Sequence, residues 1–107
     1  MANLFKHSTV EDLIEKVRLR PGMYFYKPSL TGLWGLLCAY EAAVYEHDVP
    51  TSERLDCTLL DEFDDWLRHQ FGMGNAIGWY LFIMHQTQSE QEAWERFLEL
   101  WDTFRKD

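Results

Sequence analysis

Three kinds of side chain in this 107-residue sequence have the chemistry to act on another molecule: imidazoles, thiols and a surplus of carboxylates. The histidines are His7, His47, His69 and His85. None pair at i, i+4 and no H-E-x-x-H occurs, so the spacing of a helix-borne zinc site is missing. His47 stands between Glu46 and Asp48, a grouping that suggests acid–base chemistry. Neighbours along a helix point in different directions, however, which weakens the grouping. Cys38 and Cys57 form no C-x-x-C pair and have no evident activating base, and no G-x-S-x-G occurs. Cys38 lies in an apolar pattern and is expected to be a buried thiol; a single disulfide between the two is left open. No catalytic, metal-binding or cofactor-binding residues are assigned on these grounds.

The carboxylates are the stronger signal. Eighteen acidic residues face ten basic ones, for a formal charge of -8. Such a surface repels nucleic-acid phosphates and anionic lipid and attracts a basic protein. Simple solubility is the plainer explanation of the same charge. The charge is uneven: residues 1–28 hold five basic and three acidic residues, whereas residues 29–107 hold five basic and fifteen acidic. Glu41 is unusual in falling inside an apolar arc, between Trp34 and Leu37. A carboxylate there must find a partner or shift its pKa. A structural ion pair with Arg18 or Arg20, or exposure at the helix margin, is expected.

The elements that must position these groups are helices. The length suits one domain spanning residues 1–107, and the apolar and aromatic content excludes disorder. Ser8 and Thr9 cap a first helix with apolar positions Val10, Leu13, Ile14 and Val17. Pro21-Gly22 ends it, with positive φ expected at Gly22. Residues 23–27 read as extended or irregular. Pro28 and Ser29 open a second helix, Leu30 to His47, with a wide apolar arc. Residues 48–57 read as a loop. A third helix, Thr58 to Phe71, has Leu59, Leu60, Phe63, Trp66, Leu67 and Phe71 on one side. Asp61, Asp64, Asp65 and Arg68 fall on its solvent side. Gly72-Met73-Gly74 breaks it, and Asn75 is a cap for Ala76 to His85. That run is apolar almost all round, and helix is preferred over a buried strand. Ser89 and Glu92 form a capping box for a last helix, Glu90 to Arg105. The expected fold is all-α, a compact single-domain bundle of about five helices. Residues 1–10 contain no apolar stretch and no run reaches membrane-spanning length, so a cytoplasmic protein without a signal peptide is expected.

The string Arg18-Leu19-Arg20-Pro21-Gly22-Met23-Tyr24 is similar to one that opens the ATPase domain of type II topoisomerases. That resemblance ends there. The family places a magnesium-binding Asn one turn after its catalytic Glu, whereas Tyr45 follows Glu41, and the glycine-rich phosphate motifs are missing. More of the chain resembles small acidic helical immunity proteins of bacterial polymorphic and contact-dependent toxin systems. The shared features are Leu13 to Tyr24, Ser29-Leu30 opening a helix with Tyr40-Glu41, Phe63 to Trp66, Gly78-Trp79, and Ser89 to Ala93. The usual turn has Gly where Tyr26 stands here.

This resemblance implies a non-enzymatic inhibitor that binds one cognate basic toxin 1:1, in many cases a nuclease, and covers its active site. Neither nucleic acid, membrane nor cofactor is implied. The expected contacts are Asp61, Glu62, Asp64 and Asp65 on the third helix and Glu46, Asp48, Glu53 and Asp56 around the loop. The acidic stripe Glu92, Glu95, Glu99 and Asp102 is second, and Tyr24, Phe25, Tyr26 or Trp79 is a candidate anchor. The alternatives are a protein-interaction adaptor outside any toxin system, or an enzyme using Glu41 and His47.

Overall fold

The computed structural model describes residues 8–74 and 76–106. The chain is all-α. Its five helices are α1 (Val10–Leu19), α2 (Leu30–Glu46), α3 (Thr58–Phe71), α4 (Trp79–Gln86) and α5 (Glu90–Lys106). Lys6, His7 and the proposed cap Asn75 lie outside the described residues.

The first helix forms as its capping chemistry dictates. The Thr9 hydroxyl accepts from the Asp12 N–H at 3.3 Å, and Val10, Leu13, Ile14 and Val17 are buried. Its end differs from expectation. Pro21–Met23 forms one turn of 3-10 helix, closed by the Tyr24 N–H donating to the Pro21 carbonyl at 3.0 Å. Helical winding therefore continues past Pro21, whose ring already fixes a helical φ. Gly22 has no positive φ, and a Cβ there would meet nothing. The glycine that the turn requires is Gly32, ten residues on. The Phe25 ring lies so close to it that a Cβ would stand 2.8 Å from a ring carbon.

Helix α3 ends at Gly72, whose φ of 64° suits a residue without a side chain. Helix α4 begins at Trp79 with Gly78 at its cap position, three residues later than the sequence pattern suggests. Only Ile83 of α4 is fully buried, and Leu81 is 44% exposed. A short apolar helix thus lies on the surface of the bundle, where an all-round apolar pattern had suggested burial.

The core is one cluster, with α5 at its centre packing on α2, α3 and α4, while α1 packs on α3. Its middle is a group of rings. Phe63 meets Phe97, Trp101 and Phe104 at centroid distances of 5.6, 5.3 and 5.5 Å, all edge to face. Arg18 grips Asp102 with both arms of its guanidinium, one at 2.9 Å, and also reaches Glu15 at 3.2 Å. With Arg105 and Glu11 at 3.7 Å, this pair fastens α1 to α5.

Two helices borrow their N-terminal carboxylates. Neither α2 nor α4 has an acidic residue in its first turn. The positive end of α2 is met by Glu90, the first residue of α5. Glu90 Oε2 accepts from the Ser29 hydroxyl and the Thr31 N–H, each at 3.1 Å, and the Thr31 hydroxyl bonds Oε1. Burial pushes the Glu90 carboxyl up, but the bonds from Thr31, Ser29 and Leu30 together hold it below its ordinary value. The start of α4 is met by Asp64 of α3, whose Oδ1 accepts the Trp79 N–H at 2.9 Å. Ser89 does cap α5, accepting from the Glu92 N–H at 3.1 Å, while Glu92 reaches back to the Gln88 N–H at 3.0 Å.

Candidate functional site

The side of α2 that the core does not use carries Trp34, Cys38, Glu41 and Tyr45, spaced four, three and four residues apart. That spacing lines them along one stripe of the helix. Trp34 is 41% exposed and Tyr45 73% exposed. The Trp34 indole is not loose: it stacks on the Tyr80 ring of α4 at 4.5 Å and 8°. Tyr80 is itself anchored, its hydroxyl 2.7 Å from the Thr31 hydroxyl.

This stripe forms one wall of an open cleft of about 380 Å³. Cys57, Leu60 and Asp61 at the start of α3, Arg54 and Leu55 of the preceding loop, and Trp79 of α4 also line it. Buried Val44, Leu55 and Leu60 give it an apolar base. The loop is held in place by two sets of bonds. The Leu55 N–H donates to the Tyr40 hydroxyl at 2.8 Å. Thr9 and Asp56 then form an isolated parallel bridge, with Val10 N–H to Asp56 O at 2.8 Å and Asp56 N–H to Ser8 O at 3.0 Å. A second hollow, lined by Thr9, Ser52, Asp56 and Thr58, shares Arg54, Leu55, Cys57 and Asp61 with the cleft and continues it towards the start of α1.

The electrostatics of the cleft are one-sided. Among its lining residues two carboxylates, Glu41 and Asp61, stand against one guanidinium, Arg54, whose Nε–H donates to the Val49 carbonyl at 2.8 Å. The Asp61 carboxyl is raised above its ordinary value, by burial first and then by Asp64, Asp65 and Glu41. Burial also pushes the Cys57 thiol up to about 11, with Asp61, Asp56, Glu41 and Glu11 adding to the effect. The thiol is therefore protonated near neutral pH and a poor nucleophile. Among the described residues no three His, Cys, Asp or Glu side chains converge closely enough to hold a metal ion.

The residues singled out by sequence fall into three groups. Asp61 lines the cleft, and Asp56 lies beside it, its carboxylate lowered by accepting from Thr58, including the Thr58 N–H at 3.0 Å. Glu62, Asp65, Glu46 and Asp48 are exposed, with Asp48 in the left-handed region at φ 49°, and Glu53 is half-buried in a 3-10 turn, Thr51–Glu53. Asp64 is different. The sequence pattern puts it on the solvent side of α3, but only 20% of its side chain is exposed, and it bonds both the Trp79 N–H and the guanidinium of Arg68. It holds α4 against α3.

Of the two outcomes expected for Glu41, the structure has the second: it pairs with neither Arg18 nor Arg20 in the ion pairs of the described residues and is exposed at the helix margin, on the cleft. Other expectations change. Cys38 is exposed on the same wall, where burial was expected, and both cysteines are free thiols. His47 caps the end of α2 and does not line the cleft that holds Glu41. Of the candidate anchors, Tyr26 is 96% exposed, Tyr24 is exposed, and Phe25 and Trp79 are half-buried. Trp34 and Tyr45 were missed as surface residues. The available signal was the stripe itself: an acid placed between two aromatic positions of a helix is poorly suited to face a core.

Comparison with known protein families, curated proteins and solved structures finds no match to this chain. No helix of the described residues is long and apolar enough to cross a membrane.

Proposed function

We propose that this protein is an immunity-type inhibitor that binds a basic bacterial toxin domain 1:1 in the producer's cytoplasm and occludes its substrate cleft. The observation that carries the reading is the joining of an aromatic cleft to an acidic margin. Exposed aromatics supply the desolvated contact area of a protein interface. The carboxylates around them supply charge complementary to a surface built to hold phosphate, and so a fast encounter. The formal charge of -8 supports the same kind of partner. A nuclease is the toxin class whose active site best matches this surface.

The test is protection. Cells expressing the toxin domain encoded beside this gene survive when the chain is co-expressed and die when it is not. Death of cells that express the active toxin domain together with the chain overturns the reading. Stopped-flow association with the same toxin domain resolves the electrostatic part. Reversing Asp61, Glu62 and Asp65 to Lys slows association about tenfold or more at low salt and removes most of its salt dependence. Asp64 is left intact in that variant because it holds α4. A wild-type rate indifferent to salt removes charge steering from the mechanism.

A further inference from the structure

We infer that the α2–α3 cleft is a receptor for a single arginine side chain of the partner, its guanidinium against the Trp34 indole and between the carboxylates of Glu41 and Asp61. The inference rests on the reading that the partner is a basic protein and specifies what that partner must present. Size admits the occupant first. About 380 Å³ is at the small end of ligand pockets, roughly 300–1,000 Å³, and accommodates one side chain, while the adjoining hollow leaves room for the backbone that carries it. Charge limits it next. Two carboxylates against one guanidinium leave the lining net negative, and Asp61 feels Asp64 and Asp65 as well as Glu41. Arg54, which also donates to the Val49 carbonyl, offsets one of the two lining carboxylates and leaves the other uncompensated. A cation entering the cleft relieves that repulsion. An apolar side chain leaves it in place and takes water from the two carboxylates.

The aromatic wall then selects arginine over lysine. The Trp34 ring is stacked flat against Tyr80 and lines the cleft. A planar guanidinium is weakly hydrated, lies on an indole face and forks onto carboxylates on either side. An ammonium is a compact, strongly hydrated point charge that gains less from the flat wall. A metal ion fits poorly, because no three ligand side chains converge among the described residues.

The experiment titrates N-acetyl-arginine amide into the full chain and follows the Trp34 indole N–H and the Cys57 amide by NMR. Saturable shifts at these two groups are expected. Glu41→Gln and Asp61→Asn together weaken half-saturation at least fivefold. Glu62→Gln removes a charge from α3 outside the cleft and changes it less than twofold. Trp34→Ala, checked for a retained cooperative melt, weakens it comparably to the double variant. The lysine counterpart binds at least threefold more weakly, and the norleucine counterpart gives no saturable shift at the same concentrations. Absence of saturation by the arginine probe, or equal binding to the double variant, overturns the inference. Equal binding of the lysine probe overturns the arginine assignment, and equal binding of the norleucine probe makes the cleft a plain apolar groove. The two readings separate cleanly. A chain that protects cells but does not bind the probe defeats the arginine receptor alone. A chain that binds the probe but protects nothing keeps the receptor and defeats the toxin reading.

Discussion

Asp61 and Asp64 stand three residues apart on α3 and look alike in the sequence, yet they serve different regions of the molecule. Asp64 lies where α3 meets α4, and both its oxygens are committed, one to the Trp79 N–H and one to Arg68. Asp61 lies on the cleft, where burial first and then neighbouring acids raise its pKa. The difference teaches that formal charge overstates the charge available to a partner. Asp64, Glu90 and Asp102 are consumed by a helix end, a helix end and an ion pair. Glu41 and Asp61 remain available at the cleft.

The largest effect follows from removing a consumed carboxylate. Asp64→Ala uncaps α4 and leaves the Arg68 guanidinium, 24% exposed, without its closest acid. The expected loss is about 2 kcal/mol of unfolding free energy, from a cap worth about 1 kcal/mol plus a partly buried charge left short of a partner. Asp64→Asn keeps an oxygen for the Trp79 N–H and should lose about half as much. Urea unfolding of both variants measures this. Equal stability of Asp64→Ala and wild type would return Asp64 to the solvent face and to the list of contacts.

A smaller loss, about 1 kcal/mol, is expected for Glu90→Gln at neutral pH, because a charge at the positive end of α2 is lost while an acceptor is kept. The pH dependence has a definite sign. Hydrogen bonds hold Glu90 below its unfolded value of 4.5, and the Arg18 bond does the same for Asp102 relative to 3.8. A depressed carboxylate stabilises fully above its unfolded pKa, and that contribution is lost as pH falls through the folded pKa. Melting temperature should therefore drop on acidification below roughly pH 5, and it should drop less in Glu90→Gln. Parallel curves for the two proteins would show that the carboxylate at the start of α2 is not held as described.

What was legible in the sequence follows the range of the interaction. Caps supplied within a few residues were readable: Thr9 for α1, Ser29 for α2 and Ser89 for α5 all act as their types predict. The α3 bounds and its glycine end were readable for the same reason. The start of α4 was not, because its carboxylate comes from Asp64, fifteen residues earlier in the chain. An empty first turn in α2 and in α4 was the trace of these borrowed caps. The cleft was half legible. Glu41 was marked as out of place in an apolar arc, but which way α2 faces depends on α4 and α5 and is not written in α2. A helix whose apolar residues exceed one face reads as central, and only the packing shows that Trp34 and Tyr45 are left outside.

The smallest effect on folding is expected where the effect on binding is greatest. For Asp61 the sign is opposite to that of Glu90. Its folded pKa is raised, so protonation favours the folded state below the unfolded value of 3.8, and that contribution is lost as pH rises through the folded pKa. At neutral pH the charged form is a mild cost, which an uncharged isostere removes. Asp61→Asn should thus hold or slightly raise stability, by no more than about 0.5 kcal/mol, because the relief is set against the loss of a charge in the first turn of α3. Glu41→Gln should do the same or nothing, while the pair together weakens arginine-probe binding. Stability rising as binding falls marks a surface kept for a partner, since a residue retained only for the fold loses stability when neutralised. A clear loss of stability in Asp61→Asn would erase the distinction between the two aspartates and place both in the scaffold.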